Sequence, residues 1–530
     1  MNAFLSLFKI EKKHFLAILF VSILFFIGNG QFDLFDNSET HYTRVTQEMV
    51  ETGDWLNLSY NGKPWYVHPP LYFWTTSIIT NIFGWSEPVL RFQGSFFTMG
   101  CVIMTYLIAH LFFGSTIALG SALIFGTSIY IIAIGKLAIF DAHLYFFMLL
   151  SLYLILDHLH RKDTKPYFIL VAGIATGLGV LAKGPISLVQ QLLFLFPYLL
   201  YLKDWTRFKS PWVWATIGIA IAIPAPWYAH QLIHHGKPFF DLALRDYTWF
   251  RFFGVVESQS GPWHYYFTVL LGFFPWLCWL PFIIYSHFKT KLFSQNSLEA
   301  KGLMFAWIST IITFVFFSIA QTKLPNYIYL MFPFMAILSS HWFFQEKSSK
   351  QALLSLIVFA FIIITIGFNI TIYDIEPARI LLIKFTFIAL SLPILGFLVG
   401  SYFKKTKSWS LMLFTGLSYL SIGWLCFVVL PKVSDYDEVK KGTAIILEDV
   451  KNMPYTMVHY YGIKPSTLVR LNKNVLQLRS DNDLLTTINN NKLVYVLSHQ
   501  KYIHDGLTSL PATQQTWRFD DHIVVKYSHE

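Results

Sequence analysis

The amino-acid sequence predicts an all-α protein that crosses a membrane many times and ends in a small α/β domain. Three observations predict this. First, 55% of the 530 residues are hydrophobic and 18% aromatic, whereas 13% are charged; soluble proteins carry about 25% charged residues. Second, apolar runs of roughly 20 residues recur up to about position 430, and mean hydropathy is +0.49. Such runs become helices, because lipid satisfies no backbone donor or acceptor. Third, apolar density falls over 431–530 and the pattern changes to short alternating runs.

About thirteen spans are expected, near 14–30, 89–113, 116–134, 138–157, 167–182, 185–201, 211–229, 264–286, 302–320, 326–344, 351–372, 383–401 and 409–430. Lys9, Lys12 and Lys13 precede the first run, as in a signal peptide. That run ends in "GNGQ", without a small-x-small cleavage site, and reads as a retained span. With the N-terminus in the cytoplasm, the inner segments hold seventeen Lys and Arg. The short outer loops "GKLAIFD", "KG", "QTKLPN" and "YDIEPAR" hold one each. This is the positive-inside pattern, so it absorbs the net charge of +10 without any need for nucleic acid.

The apolar run "LYFWTTSIITNIFG" (71–84) is short and follows Pro69-Pro70. If it crossed, every later basic loop would invert, so it is expected to lie on the membrane surface. Thirteen spans place the C-terminus outside. The domains are then 1–430, carrying outer loops 31–88 and 230–263, and a soluble periplasmic α/β domain over 431–530. In the latter, "DEVKKGTAIILEDV" is helix-like, and "YTMVHYY", "KLVYVLS" and "HIVVKYS" are strand-like. Cys101, Cys278 and Cys426 all fall inside apolar runs, so no disulfide and no zinc-ligand pair is expected.

This topology gathers chemistry on the outer side. Glu39, Asp36, Lys136, Asp141, Lys183, Arg251, Lys323 and Tyr327 come from distant parts of the chain. Isolated basic residues there run against the charge bias and call for an anionic partner. Each also has a plainer role. Asp36 and Glu39 suit the first turn of a helix by its dipole. Lys183 can reach the interface along its apolar stem. Arg251, in "RDYTWFRFFG", sits among interfacial aromatics. Asp141 is the stronger candidate, because an acid at the lip of a span is costly unless paired or used. Glu39-x-His41 and Asp141-x-His143 each offer two ligands to a divalent cation, although neither is a recognised zinc motif. No cofactor is otherwise indicated.

"SETHYTRVTQEMVETGDWLNLSYNGKPWYVHPPLYFW" resembles the first outer loop of bacterial lipid-linked-sugar glycosyltransferases of the GT-C class. The nearest group contains the lipid A aminoarabinose transferases, related to the protein O-mannosyltransferases. Three further pieces agree in order: "FDAHLYFF", "GLGVLAKGP" and "KLPNYIYLMFP". "GPWHYYFTVLLGFFPW" is also similar to the segment after the long outer loop. The resemblance covers about 15–345. It implies a GT-C helical bundle in the bacterial inner membrane, with interfacial helices over a cavity at membrane level. A polyprenyl-phosphate sugar would enter from the lipid, and its sugar would pass to an acceptor outside the cytoplasm. The implied acceptor is lipid A or another glycolipid or lipopolysaccharide, with protein hydroxyls second. Membrane lipids are the implied surroundings, and a monomer is expected.

Transfer from a phosphate needs positive charge on the leaving group and a base for a hydroxyl acceptor. Arg251, Lys323, Tyr327, His68, His41 and Lys183 are the candidates for the donor phosphate. Glu39, Asp141 and Asp36 are the candidate catalytic acids. The chain departs from the family's D-E-x-R-Y and K-P-P patterns. Ser38 replaces the Asp, His41 the Arg and His68 the Lys. A non-catalytic sensor or transporter is therefore a second reading. Against transport, the span interiors are nearly free of charge and no repeat is visible.

Overall fold

The computed structural model describes residues 10–35, 38–161, 166–204, 206–256, 259–289, 296–345, 350–358, 377–402, 407–434, 438–450, 453–462, 464–503, 513–519 and 521–528. Predicted span 351–372 falls largely outside these residues. The described chain forms two compact units. One comprises Met1–Asn29, Tyr66–Tyr72 and Arg91–Val429; the other comprises Gly30–Trp65, Phe73–Leu90 and Leu430–Glu530.

The first unit is helical. Among the described residues five helices are long and apolar enough to cross a membrane, or up to seven if each bent pair is one span. Shorter apolar helices include Ile169–Lys183, Ile186–Leu202 and Met331–Phe344. Its polarity is that of a lipid-facing bundle. Trp214, Ile221, Leu192, Phe196 and Ile319 are exposed, whereas Ser151, Gln190, Gln191, Thr313 and His287 are buried. The protein is thus a multi-pass membrane protein.

Small residues allow one close helix contact. The Ile169–Lys183 helix packs against Pro211–Ala222. A Cβ on Gly173 would lie 2.5 Å from Thr216 O, and one on Gly177 would lie 2.8 Å from Ile223 Cβ. This is the G-x-x-x-G device for close backbone approach.

Two expected spans are not straight. The 116–134 run bends by 66° between Ser115–Gly126 and Ile129–Gly135. There the Thr127 and Ser128 hydroxyls donate back to Leu123 O and Ile124 O, and Trp276 Nε1 donates to Thr127 Oγ1 at 3.2 Å. The 264–286 run bends by 103° between Tyr265–Phe273 and Trp276–Lys289. Pro275, which has no N–H to continue a helix, sits at that corner.

The second unit contains a five-stranded sheet. Its strands are β3 (Thr456–Tyr460), β4 (Leu476–Leu478), β5 (Leu493–His499), β6 (Thr513–Arg518) and β7 (His522–Ser528), in order β4-β3-β5-β7-β6. β4, β3 and β5 run parallel, while β7 and β6 add antiparallel. Both faces are covered, which is why the central strands are apolar at nearly every position. Met457, Tyr495 and Val524 pack on Val439, Ile446 and Leu468. Their neighbours Val458, Val494, Val496, Ile523 and Val525 pack with Leu484 and Ile488. β4 and β6 are the edges, and β6, "TQQTWR", is mostly polar.

The same unit holds a short hairpin, β1 (Ser59–Tyr60) with β2 (Lys63–Pro64). Asn61 and Gly62 turn it at φ 52° and 73°, as a two-residue hairpin of this type requires. A helix over Glu39–Thr52 packs against Pro465–Leu471. Leu71–Phe83 is helical as expected. It turns Ile78, Ile82 and Phe83 outward and buries Thr76, Ser77 and Thr80, the reverse of a helix facing water.

One buried acid ties the hairpin to the first of these helices. Glu48 accepts from Arg44 Nε at 3.0 Å, Ser59 Oγ at 2.7 Å, Asn61 N at 2.6 Å and Gly62 N at 3.1 Å. Arg44 also donates to Glu51, Asn472 and Asn474. Glu48→Ala leaves Arg44 Nε, the Ser59 hydroxyl and two backbone donors without their acceptor. It is expected to destabilise this unit by about 1–3 kcal/mol. Amide hydrogen exchange over 58–65 checks this; protection equal to the wild type refutes it.

Candidate active site

The candidate residues fall into both units. In the first unit, Asp141 opens the Asp141–His160 helix and Lys183 closes Ile169–Lys183. These two helices pack along each other. Gly184 ends the second at φ 99°, a backbone that a side chain would strain. The chain therefore turns sharply at Lys183, and Lys183 Nζ donates to Asp141 Oδ1. The side chains are 8% and 1% exposed, so this is a buried ion pair. The ammonium also lies 4.9 Å from the Phe140 ring centroid and 5.4 Å from that of Tyr327.

Arg251 arrives from the other side of the sequence. Thr322 N donates to Arg251 O at 3.2 Å, Gln321 N to Phe252 O at 3.0 Å, and Thr322 Oγ1 to Gly254 O at 2.8 Å. These bonds stitch the end of the long loop to the "QTKLPNY" segment. Pro325–Ile328 forms a 3-10 turn, anchored where Tyr145 Oη donates to Asn326 O at 2.6 Å. The result sets Arg251 Nη1 to donate to the Tyr327 hydroxyl at 2.9 Å. The guanidinium carbon lies 4.8 Å from the Tyr247 ring centroid.

Lys183, Tyr247, Arg251 and Tyr327 line one cavity of about 330 Å³, and Asp141 borders it through its bond from Lys183. His68, Lys183, Arg251 and Tyr327 give it a polar, cationic part. The His68 ring lies tilted against Phe140, with ring centroids 4.1 Å apart. Ile186, Val189, Phe252, Phe316, Phe317 and Ala320 give it an apolar part. A cavity so divided suits an anionic headgroup on an apolar chain.

Lys323 does not line this cavity. Its ammonium donates to Ser318 O at 2.9 Å and Ala320 O at 2.6 Å, capping the Leu298–Ile319 helix. That is a favourable place for a cation by the helix dipole. Glu39 and His41 lie in the second unit. Glu39 is fully buried and accepts from Phe35 N at 2.9 Å. The His41 ring lies flat on Tyr60, with centroids 3.9 Å apart and planes within 7°. Asp36 lies outside the described residues.

Asp141 and His143 do not converge. Two residues apart on a helix, they point to different sides. Asp141 meets Lys183, whereas His143 Nε2 lies 3.0 Å from Gln93 Oε1. Among the described residues no group of three or more His, Cys, Asp or Glu comes together as for a metal ion.

Known proteins resemble this chain in sequence and in fold. Residues 67–230 match the family model for dolichyl-phosphate-mannose-protein mannosyltransferases. An undecaprenyl phosphate-α-4-amino-4-deoxy-L-arabinose arabinosyl transferase of Proteus mirabilis is 26% identical over 342 residues, 61% of this chain and 57% of that one. The crystal structure of ArnT from Cupriavidus metallidurans bound to undecaprenyl phosphate superposes with a TM-score of 0.80, over 96% of this chain and 97% of that one, at 18% identity. The chain has the fold of that protein. An uncharacterised protein of Aquifex aeolicus is 28% identical over 83% of each chain. Against the Proteus transferase and that of Pseudomonas fluorescens, the chain spans just over half of the relative's length, 57% and 52%.

The sequence singles out the cavity's charges but not all of its walls. Tyr66, Tyr145, Gln190, Trp227 and Tyr247 also line it. Tyr66 stands in the quoted first-loop motif, so its position was a usable signal. Gln190, in "ISLVQQLLF", looks like polar filler in an apolar helix.

Proposed function

We propose that this protein transfers a sugar from a polyprenyl-phosphate donor to an acceptor outside the cytoplasm. The observation that carries the proposal is the single cavity in which Lys183, Arg251, Tyr327 and His68 face an apolar wall. The named relatives use an undecaprenyl phosphate sugar, and the same donor class is proposed here. The donor phosphate carries one negative charge as a diester. It gains a second as the anomeric C–O bond breaks and polyprenyl phosphate leaves. Arg251 and Lys183 are placed to meet that second charge, with the Tyr327 hydroxyl as a further donor.

The acceptor oxygen attacks the anomeric carbon and gives its proton to a carboxylate. Asp141 is the first candidate for this base, because Lys183 loosens from it as the ammonium turns to the phosphate. Glu39 is the second. The acceptor is proposed to be lipid A or another glycolipid. The mannosyltransferase family match favours protein hydroxyls as the second choice. The N-terminus is proposed to be cytoplasmic and residues 431–530 to lie outside, a reading that the loop charges support.

The test is incubation of the purified protein with membrane extract containing polyprenyl-phosphate sugars. Release of polyprenyl phosphate, together with a sugar-bearing glycolipid by mass spectrometry, is the expected result. Retention of the donor without turnover under any acceptor refutes the enzyme and leaves a sensor.

A further inference from the structure

Gln190 is buried in the wall of the cavity, with 2% of its surface exposed. It lies in the second turn of Ile186–Leu202. Ile186, Val189 and Gln190 form the stripe, spaced i, i+3, i+4, that this helix presents to the cavity. Neither its Oε1 nor its Nε2 has a hydrogen-bond partner among the described residues. The adjacent amide shows what a scaffold glutamine looks like here. Gln191 Nε2 donates to Ser187 O at 3.0 Å, and Gln191 Oε1 accepts from Thr176 Oγ1 at 3.3 Å. Thr176 in turn pairs with Ser151 at 2.8 Å. Two such residues in sequence, one satisfied and one not, separate structure from recognition.

Leaving both ends of a buried carboxamide unpaired costs stability without any return from packing. A leucine would fill the same space. We propose that Gln190 reads the sugar of the lipid-linked donor. This rests on the donor class proposed above. The chemistry of the amide selects the ligand. It offers one acceptor and two donor hydrogens. A phosphate has only acceptors and leaves Oε1 unpaired. An isoprenoid chain pairs with neither end. A hydroxyl or amino group of a sugar, or a pair of neighbouring hydroxyls, satisfies both. The amide atoms are buried and unpaired in a residue of the cavity wall. A turn about the side chain's own bonds brings them in when the sugar arrives.

Native mass spectrometry of the full-length protein tests this, using membrane lipid extract as the probe. The wild type is expected to retain both polyprenyl phosphate and its sugar-bearing forms. Gln190→Leu is expected to keep the bare polyprenyl phosphate and to lower the ratio of sugar-bearing to bare lipid at least tenfold. Its Tm is expected to be unchanged or raised, since an unpaired amide has been replaced by an apolar side chain. A Tm fall with the lipid ratio intact makes Gln190 a scaffold residue and overturns the inference. So does equal loss of both lipids, or a wild type that holds bare polyprenyl phosphate and never a sugar-bearing form. A wild type that holds no polyprenyl phosphate at all refutes the donor class itself, a separate result.

Discussion

Asp141→Asn is expected to lower sugar transfer on the order of 100-fold or more, in protein that still inserts into the membrane. Asp141 is 1% exposed and pairs with a lysine that is itself buried. Removing its charge has two consequences. The carboxylate that would take the acceptor's proton is gone, and Lys183 is left as a lone buried cation. The second effect alone costs about 3–5 kcal/mol. A loss of activity in this variant therefore does not by itself separate chemistry from folding. The double variant Asp141→Asn, Lys183→Met separates them, because it removes the stranded charge. It is expected to recover the wild-type Tm in detergent while remaining inactive. A double variant that transfers sugar normally would reduce the pair to scaffold and remove both residues from the mechanism. Glu39→Gln serves as the parallel test for the second candidate base, with loss of transfer and retained folding as the expected outcome.

How the pair was assembled shows what a sequence can convey. The distribution of basic residues puts Asp141 and Lys183 on one membrane face, and hydropathy marks both as anomalous. Their partnership is a matter of helix packing, set by two termini 42 residues apart, and no local pattern encodes it. Lys323 shows the converse. Its sequence context matches that of Tyr327, yet the ammonium turns back onto the Leu298–Ile319 carbonyls while Tyr327 faces the cavity. Periodicity finds apolar runs but not the corners within them. Thus 264–286 reads as one span although Pro275 breaks it, and Thr127 and Ser128 bend 116–134 through side-chain bonds to the backbone. The central strands are legible because both faces are buried, and the edge strands are not. Glu48 and Gln190 are not legible in the sequence, for a common reason. Each matters through what it does or does not pair with, and pairing is a property of the folded chain.

Arg251→Lys carries the other large expected effect, a 10- to 100-fold loss of transfer, with Arg251→Ala losing more. Both variants keep the backbone bonds that stitch 251–254 to 321–322, since these use main-chain atoms and the Thr322 hydroxyl. The loop should therefore stay in place, and the change falls on the guanidinium. Lysine keeps the charge but loses the planar fork that can hold two phosphate oxygens while also donating to Tyr327. The split between kinetic constants is the decisive reading. The phosphate gains its second negative charge only as the glycosidic bond breaks, so a group aimed at that charge acts on kcat more than on donor affinity. Arg251→Lys is thus expected to bind polyprenyl phosphate sugar within a few-fold of the wild type and to turn it over far more slowly. Tyr327→Phe removes only the hydroxyl that Arg251 contacts at 2.9 Å, and about a tenfold loss is expected. If Arg251→Lys instead weakens binding and leaves kcat unchanged, the guanidinium holds the ground state only. Stabilisation of the leaving phosphate then falls to Lys183 and the Tyr327 hydroxyl.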